Sequence, residues 1–213
     1  MFNQLYEKVV SVKEGSMPFN PMSLQDSSFL QDKEEWFIER TTKHIELVNT
    51  AARSIVAEYP EYEALLQQVK NHDASKFEEP ERTPYISISW RHKKDNYNSY
   101  KKPGTLPNEE ENKATLHHIT TNSHHPEYHL KDKSQANINS KDRDKSDKVV
   151  DASAMPDIDV AEMVADWQAM SEELKKNTAR EWFNKQKDVR WHFSKHQEQL
   201  IDKLLGVFEH EED

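Results

Sequence analysis

The chain has 213 residues, of which 34% are hydrophobic and 32% charged, and its formal net charge is −10. Five Trp, eight Phe and seven Tyr are too many for a wholly disordered chain. The lack of cysteine excludes disulfides, thiolate metal sites and a cysteine nucleophile. The acidic balance argues against a protein that coats nucleic acid, so no bulk nucleic-acid binding is expected.

Signals for membranes and secretion are missing from the sequence. No apolar run approaches the roughly 18 residues of a membrane helix. The segment from Met1 to Lys8 lacks the basic-then-apolar order of a secretory signal. We therefore expect a cytoplasmic protein with no membrane partner, and the oligomeric state is open.

Glycine is scarce, since the chain contains only three. Tight hairpins and phosphate-binding loops depend on glycine for positive φ, and neither a G-x-G-x-x-G motif nor a P-loop is present. This composition predicts an all-α bundle of about six to eight helices, with no sheet of consequence.

The first part of the chain is predicted to be an irregular lead-in over 1–30, followed by a single helical domain over 31–210. Apolar side chains recur at three- and four-residue steps over 36–55, which predicts an amphipathic helix that ends near Pro60. A second helical pattern covers 62–69.

The central part is less regular. Residues 78–107 contain four prolines and are predicted to be an irregular connection with short helices. A helix is predicted from about Asn108 to His125, because the residue before Pro126 disfavours the α conformation. Ten of the 20 residues over 131–150 are charged and none is aromatic, which predicts a disordered, mobile loop.

Three helices are predicted in the last part, the first with a core face from Val160 to Met170. Each is preceded by a residue pair with the spacing of a capping box: Asp159 with Glu162, Thr178 with Glu181, and Ser194 with Gln197. Asp159 and Glu162 are therefore interpreted as caps, which makes Asp166 the preferred functional acid of that helix.

The chain contains eleven histidines. His44 lies on the apolar face of the first helix, His72 adjoins Asp73, and five more cluster over 117–129. Imidazole and carboxylate together suit Mn, Fe, Co, Ni or Zn. We therefore predict a site for one or two divalent transition metal ions.

Each of these features also has an ordinary structural explanation. His44 could be a hydrogen-bonded core residue, His72 and Asp73 could end a helix, and Lys76 could be a solvated lysine. If 118–125 is helical, His118, Asn122 and His125 share one face and His124 points about 100° away. The histidines interpreted as surface or packing residues are His117, His129, His192, His196 and His210.

The order His44, His72-Asp73, Asp166 resembles that of the HD superfamily of metal-dependent phosphohydrolases, which is H…HD…D on an all-α core. Members with extra histidines, such as the HD-GYP phosphodiesterases, are similar in three segments. These are HDxGK at 72–76, where Ser75 replaces glycine, H…HHE at 118–127, and ADxxDA at 162–167. The GYP segment is missing, so cyclic-di-GMP specificity is not implied.

The chain also resembles a small uncharacterised family of bacteria and phages. The shared motifs are HD-x-SKF at 72–77, N-x-HHPE at 122–127 and EMVxDWxAMS at 162–171. This likeness spans most of residues 40–205 but implies no reaction. Residues 131–150 lie outside both resemblances.

The HD resemblance implies an HD-domain-like bundle and a phosphohydrolase or phosphodiesterase that acts on a nucleotide through a metal-activated water. One ion would be held by His44, His72, Asp73 and Asp166. A second would be held by His118 with His124, His125 or both, and Asp73 would bridge the two. The implied catalytic residues are Asp73 and Lys76, and the implied substrate contacts are Lys76, Arg40 and Asn122.

Two other functions stay open at this point. Some HD-fold proteins with extra histidines hold mixed-valent di-iron and oxidise their substrate with O₂, so the same ligands could serve an oxygenase. The protein could also bind a nucleotide or a partner without turnover.

Overall fold

The computed structural model describes residues 21–94, 109–136 and 149–209. The chain divides into two compact units, residues 1–32 and 33–213. Within the described ranges there are seven α-helices and one two-stranded sheet, which confirms the expected all-α fold of six to eight helices. None of the helices in these ranges is long and apolar enough to cross a membrane.

The α-helices are α1 (Pro21–Glu58), α2 (Leu65–Gln68), α3 (Arg82–Lys94), α4 (Glu109–Thr121), α5 (Asp157–Leu174), α6 (Ala179–Gln186) and α7 (Lys195–Leu205). Single 3₁₀ turns lie at Pro60–Tyr62, Val69–Asn71, Ala74–Phe77, Pro126–His129, Lys133–Gln135 and Gly206–Phe208. The strands β1 (Val150–Asp151) and β2 (Trp191–His192) pair in parallel, with Val150 opposite Trp191.

The hydrophobic core surrounds α5, which packs against α2, α6 and α7. Val160 and Val164 of α5 are fully buried, as are Ile201 and Leu204 of α7. The Trp167 ring stacks on the rings of Phe183 and Trp191, with centroids 6.0 and 5.8 Å away. Burial of these apolar and aromatic surfaces is the main source of stability in the unit over 33–213.

Helix α1 has the predicted apolar face, with Phe37, Val48 and Ile55 fully buried, and it ends before Pro60 as expected. It begins at Pro21, so residues 21–30 are helical and not part of an irregular lead-in. Proline is favoured in the first turn of a helix, and no proline or glycine follows before the apolar face begins. Residues 1–20 lie outside the described ranges.

The helices in the middle of the chain differ from the expected ones. Helix α3 has 13 residues and is longer than the short helices expected within an irregular connection, because Pro84 falls in its first turn, where a missing N–H is tolerated. Helix α4 ends at Thr121, four residues before His125. Residues 95–108 lie outside the described ranges.

The expected loop over 131–150 is described only at its two ends. Residues 131–136 contain the 3₁₀ turn Lys133–Gln135, and Val150 begins β1. The prediction of disorder therefore falls mainly on residues 137–148, which lie outside the described ranges.

Two of the three predicted caps are confirmed. Thr178 and Ser194 form complete capping boxes at the starts of α6 and α7. The interpretation of Asp159 and Glu162 as caps is wrong, because α5 begins two residues earlier and its N-cap is Pro156. Both side chains are buried inside the domain instead.

Candidate metal centre

The seven predicted metal ligands converge from four parts of the fold. His44 comes from α1, Asp166 from α5, and His72 with Asp73 from the segment between two 3₁₀ turns. The other three predicted ligands come from α4 and from the turn that follows it, namely His118, His124 and His125. Three sets place their ligand atoms within 4.8 Å of one another: His44, His72 and Asp73; His72, His124 and Asp166; and His118, His124 and His125.

Asp73 lies at the centre of this cluster in the left-handed conformation, with φ 57° and ψ 13°. Asp and Asn are the residues other than glycine that adopt this conformation most readily, which places a short carboxylate at a sharp turn. Its Oδ2 is 3.7 Å from the Nε2 atoms of both His44 and His72. Its Oδ1 is 3.1 Å from His118 Nε2 and 3.7 Å from His124 Nε2. The two oxygens therefore face two different groups of imidazoles.

The first group, which we call subsite 1, consists of His44, His72, Asp73 and Asp166. Asp166 Oδ1 lies 3.0 Å from His44 Nε2 and 3.8 Å from His72 Nε2. This set offers two imidazole nitrogens and two carboxylates, a mixture that suits Mn, Fe, Co, Ni or Zn.

The second group, subsite 2, consists of His118, His124, His125 and the other oxygen of Asp73. The His125 ring lies 4.9 Å from that of His118 and 4.3 Å from that of His124. The expectation that His118 and His125 share a helical face is wrong, since His125 has extended backbone angles beyond the end of α4. The turn after α4 instead brings the rings of both His124 and His125 close to that of His118.

The carboxylates of the centre are held in the ionised form. Burial opposes ionisation of Asp73, but Lys76, His72 and His118 outweigh it and hold its pKa well below the usual value. Burial likewise opposes ionisation of Asp166, and the hydrogen bond and charge of His44 lower its pKa to about 2. Ionised carboxylates are the form that binds a metal ion.

The residues present fit a metal ion. His72 Nε2 is buried and finds no hydrogen-bond partner among the described residues, although it faces Asp73 Oδ2 and Asp166 Oδ1 at 3.7 and 3.8 Å. Leaving such a group unsatisfied costs about 1–3 kcal/mol, and a coordinated cation would remove that cost. Three overlapping sets of buried or partly buried His and Asp ligands, with ligand atoms within 4.8 Å of one another, complete the match.

The three residues expected to contact substrate surround the centre, and each has a protein partner. Lys76 Nζ is 2.5 Å from Asp73 Oδ2, and although burial lowers the lysine pKa, Asp73 raises it more. Arg40 Nε donates to Glu173 Oε1 at 2.6 Å. Asn122 Nδ2 donates to Ser75 Oγ and to the His118 carbonyl oxygen, both at 2.9 Å, so it joins the two segments that contain the histidines.

Comparison with known proteins adds one assignment. Residues 33–207 match the model of DUF5662, a family of unknown function. The chain belongs to this family. No curated protein and no solved structure matches the chain. The DUF5662 match contains the whole candidate centre and leaves out residues 1–32.

Sequence reasoning missed the glutamates that surround the ligands in this DUF5662 chain. Glu162 Oε1 is 2.9 Å from His72 Nδ1, and Glu81 Oε2 is 2.9 Å from His118 Nδ1. Burial opposes their ionisation, but the contacts with histidine lower the pKa of both carboxyls. Glu173 Oε2 faces His44 Nδ1 at 3.6 Å, beyond hydrogen-bond distance.

A signal for some of these acids was present in the sequence of α5. Asp159, Glu162, Asp166 and Glu173 follow one another at intervals of three, four and seven residues, which places them on one face of a helix. The interpretation of Asp159 and Glu162 as helix caps did not take this shared face into account. Asp159 Oδ1 accepts from Gln68 and from Ser123, at 2.5 and 2.9 Å, and so attaches the turn before His124 to α5.

The remaining histidines mostly lie away from the centre. His192 and His196 are exposed and pair with nearby aspartates. His117 is half-exposed and binds Glu81, while His129 Nε2 donates to the Ser123 carbonyl oxygen at 2.8 Å. His210 lies outside the described ranges.

Proposed function

We propose that this DUF5662 protein is a metal-dependent phosphohydrolase or phosphodiesterase that acts on a nucleotide through a metal-activated water. The observation that supports the proposal is the position of Asp73, of which Oδ2 faces His44 and His72 while Oδ1 faces His118 and His124. A carboxylate shared in this way is suited to two neighbouring divalent ions, the arrangement used for in-line displacement at phosphorus.

The residues of subsite 1 would hold one ion and the histidines of subsite 2 the other. When bound, the ions would lower the pKa of a coordinated water to about 7 and neutralise phosphate oxygens. Asp166 and Lys76 border the accessible side of the cluster, with side chains 18% and 19% exposed. Substrate would therefore approach between them.

The charges around the centre favour an anionic substrate only after metal loading. Among the described residues, the carboxylates that contact the candidate ligands include Asp73, Asp166, Glu81, Glu162 and Glu173, while the cations beside them include Lys76 and Arg40. This excess of negative charge repels phosphate. Lys76 Nζ uses one of its three N–H donors for Asp73 Oδ2 and can direct another to a phosphate oxygen. A cation that neutralises Asp73 would strengthen this contact, so Lys76 would link metal occupancy to substrate binding.

The test is a panel of linear and cyclic nucleotides, assayed for phosphate release and ester cleavage. The protein is first stripped by chelation and then loaded separately with Mn, Fe, Co, Ni, Zn or Mg. We expect turnover with at least one metal and none in the stripped protein. His72→Ala should abolish turnover, whereas His192→Ala, an exposed histidine outside the centre, should retain it.

Two results would contradict the hydrolase. Full activity in His72→Ala would show that the reaction does not depend on the metal centre. Nucleotide binding without turnover under every metal would favour a binding protein.

Oxidation of a substrate by O₂ is a second candidate, because subsite 1 contains a set of two histidines and one carboxylate, His44, His72 and Asp73. This ligand combination is typical of non-haem iron oxygenases. Iron-loaded protein would then consume O₂ in a substrate-dependent manner and release no phosphate. The same metal panel, read with an oxygen electrode, distinguishes the two candidates.

A further inference from the structure

We propose that Glu162 is a positioning residue shared by both metal subsites, a proposal that rests on the metal centre of the proposed function. Glu162 is 3% exposed and lies in the middle of α5. Its Oε1 is 2.9 Å from His72 Nδ1 and 3.5 Å from His124 Nδ1. Its Oε2 accepts from Gln68 Nε2 at 2.7 Å, which holds the carboxylate in place.

The two histidines that Glu162 contacts belong to different subsites. His72 Nε2 faces Asp73 Oδ2, and His124 Nε2 faces Asp73 Oδ1, each at 3.7 Å. A carboxylate beside Nδ1 favours the tautomer with the proton on that nitrogen, which leaves the Nε2 lone pair free for a cation. One buried carboxylate therefore hydrogen-bonds the Nδ1 of a ligand in subsite 1 and faces the Nδ1 of a ligand in subsite 2, where its charge favours the same tautomer.

Glu81 makes the same kind of contact for only one subsite. Its Oε2 is 2.9 Å from His118 Nδ1, and its other contacts are to Ser75 Oγ and to the half-exposed His117. Glu81 and Glu162 are both buried and both bind an imidazole, so they form a matched pair of positions. They differ in whether one or two subsites depend on them.

The test compares Glu162→Gln with Glu81→Gln by calorimetric titration of Mn²⁺ or Co²⁺ into the stripped full chain. Loss of an outer carboxylate partner weakens metal binding by about 10- to 100-fold. We expect Glu162→Gln to weaken both binding steps by that factor and Glu81→Gln to weaken only one. Equal affinities for wild type and Glu162→Gln, or a loss confined to one step, would overturn the proposal.

A second measurement does not depend on the variants folding. Long-range ¹H–¹⁵N NMR spectra of the metal-free wild type report which ring nitrogen of each histidine is protonated. We expect the Nδ1–H tautomer at both His72 and His124. The Nε2–H tautomer at either residue of the wild type would overturn the proposal.

The failures of the two proposals are distinguishable. If the wild type binds two ions but turns over no nucleotide, the hydrolase is wrong while the affinities still decide the role of Glu162. If the wild type binds one ion only, the shared role of Glu162 is wrong although hydrolysis can still occur. Absence of metal uptake by the wild type overturns both.

Discussion

At the scale of single residues, Asp73 combines an unusual backbone conformation with a buried charge. Asn tolerates the left-handed region as Asp does, so Asp73→Asn removes the charge with little backbone strain. We expect this variant to lose most of both metal ions, because Asp73 faces both subsites. Elemental analysis after reconstitution measures the loss.

The chain provides a matched control for this substitution. Asp188 also adopts a positive φ, 56°, and its exposed side chain pairs with His192 away from the centre. Asp188→Asn should therefore bind metal like the wild type. Equal metal content in both variants would contradict the role of Asp73.

Lys76 supplies a second prediction, because its ammonium group pairs with Asp73 Oδ2. Lys76→Met leaves that buried carboxylate uncompensated and should cost about 3 kcal/mol of unfolding free energy without metal. A bound divalent ion would restore the missing positive charge, so Mn²⁺ should raise the melting temperature more in Lys76→Met than in the wild type.

Calorimetric melting with and without Mn²⁺ measures this difference. Lys113→Met is the control, since Lys113 pairs with Glu109 at an exposed position where a salt bridge contributes little. If Mn²⁺ raises the melting temperature of Lys76→Met and of the wild type equally, Lys76 does not interact with the metal centre.

His92 on α3 predicts a pH dependence of stability. Burial and then the charges of Arg40 and Arg91 lower its pKa from 6.5 to about 4. Between these values the unfolded chain binds a proton that the folded chain does not, so stability falls as pH decreases from 6.5 to 4, by up to about 3 kcal/mol. His92→Gln should flatten this slope in urea denaturation at stepped pH. An unchanged slope would show that His92 titrates normally.

At the scale of elements, α5 joins the core to the metal centre. One of its faces has Glu162, Asp166 and Glu173, which contact the candidate ligands, and its buried apolar residues pack against α7. Ile201→Ala in α7 should therefore lower the unfolding free energy by about 2–5 kcal/mol. Metal affinity of the folded protein should stay the same, because α7 provides none of the candidate ligands.

Urea denaturation and metal titration test both halves of this prediction. Val189→Ala is the control, since Val189 is 39% exposed and its truncation leaves no buried cavity. A large loss of metal affinity in folded Ile201→Ala would contradict this prediction, because it would show that metal binding depends on the packing of α7 in the core.

At the scale of the whole molecule, metal binding should be linked to folding, since the ligands come from segments as far apart as His44 and Asp166. The unfolded chain cannot hold them together. Metal at 100 times its dissociation constant should add about 2.7 kcal/mol to the unfolding free energy, or about 5 to 10 °C to the melting temperature. Calorimetry before and after chelation measures the shift. No shift would argue against a metal bound by the folded state.

Much of the fold could be predicted from the sequence, because its signals are local. Apolar periodicity predicted the buried face of α1, and capping spacing predicted the starts of α6 and α7. The scarcity of glycine predicted an all-α fold. The predictions failed where a local signal was ambiguous, as at Pro21 and Pro84, which can either interrupt a helix or lie in its first turn.

For the centre, the sequence by itself determined the candidate ligands, since imidazole and carboxylate side chains at His44, His72, Asp73 and Asp166 are a chemical property of the chain. Only the tertiary structure decided how they divide between the two oxygens of Asp73, and which acids support them. Glu162 and His72 are 90 residues apart, and Glu81 and His118 are 37 apart. Contacts at such separations depend on how helices pack, and no local periodicity encodes that packing.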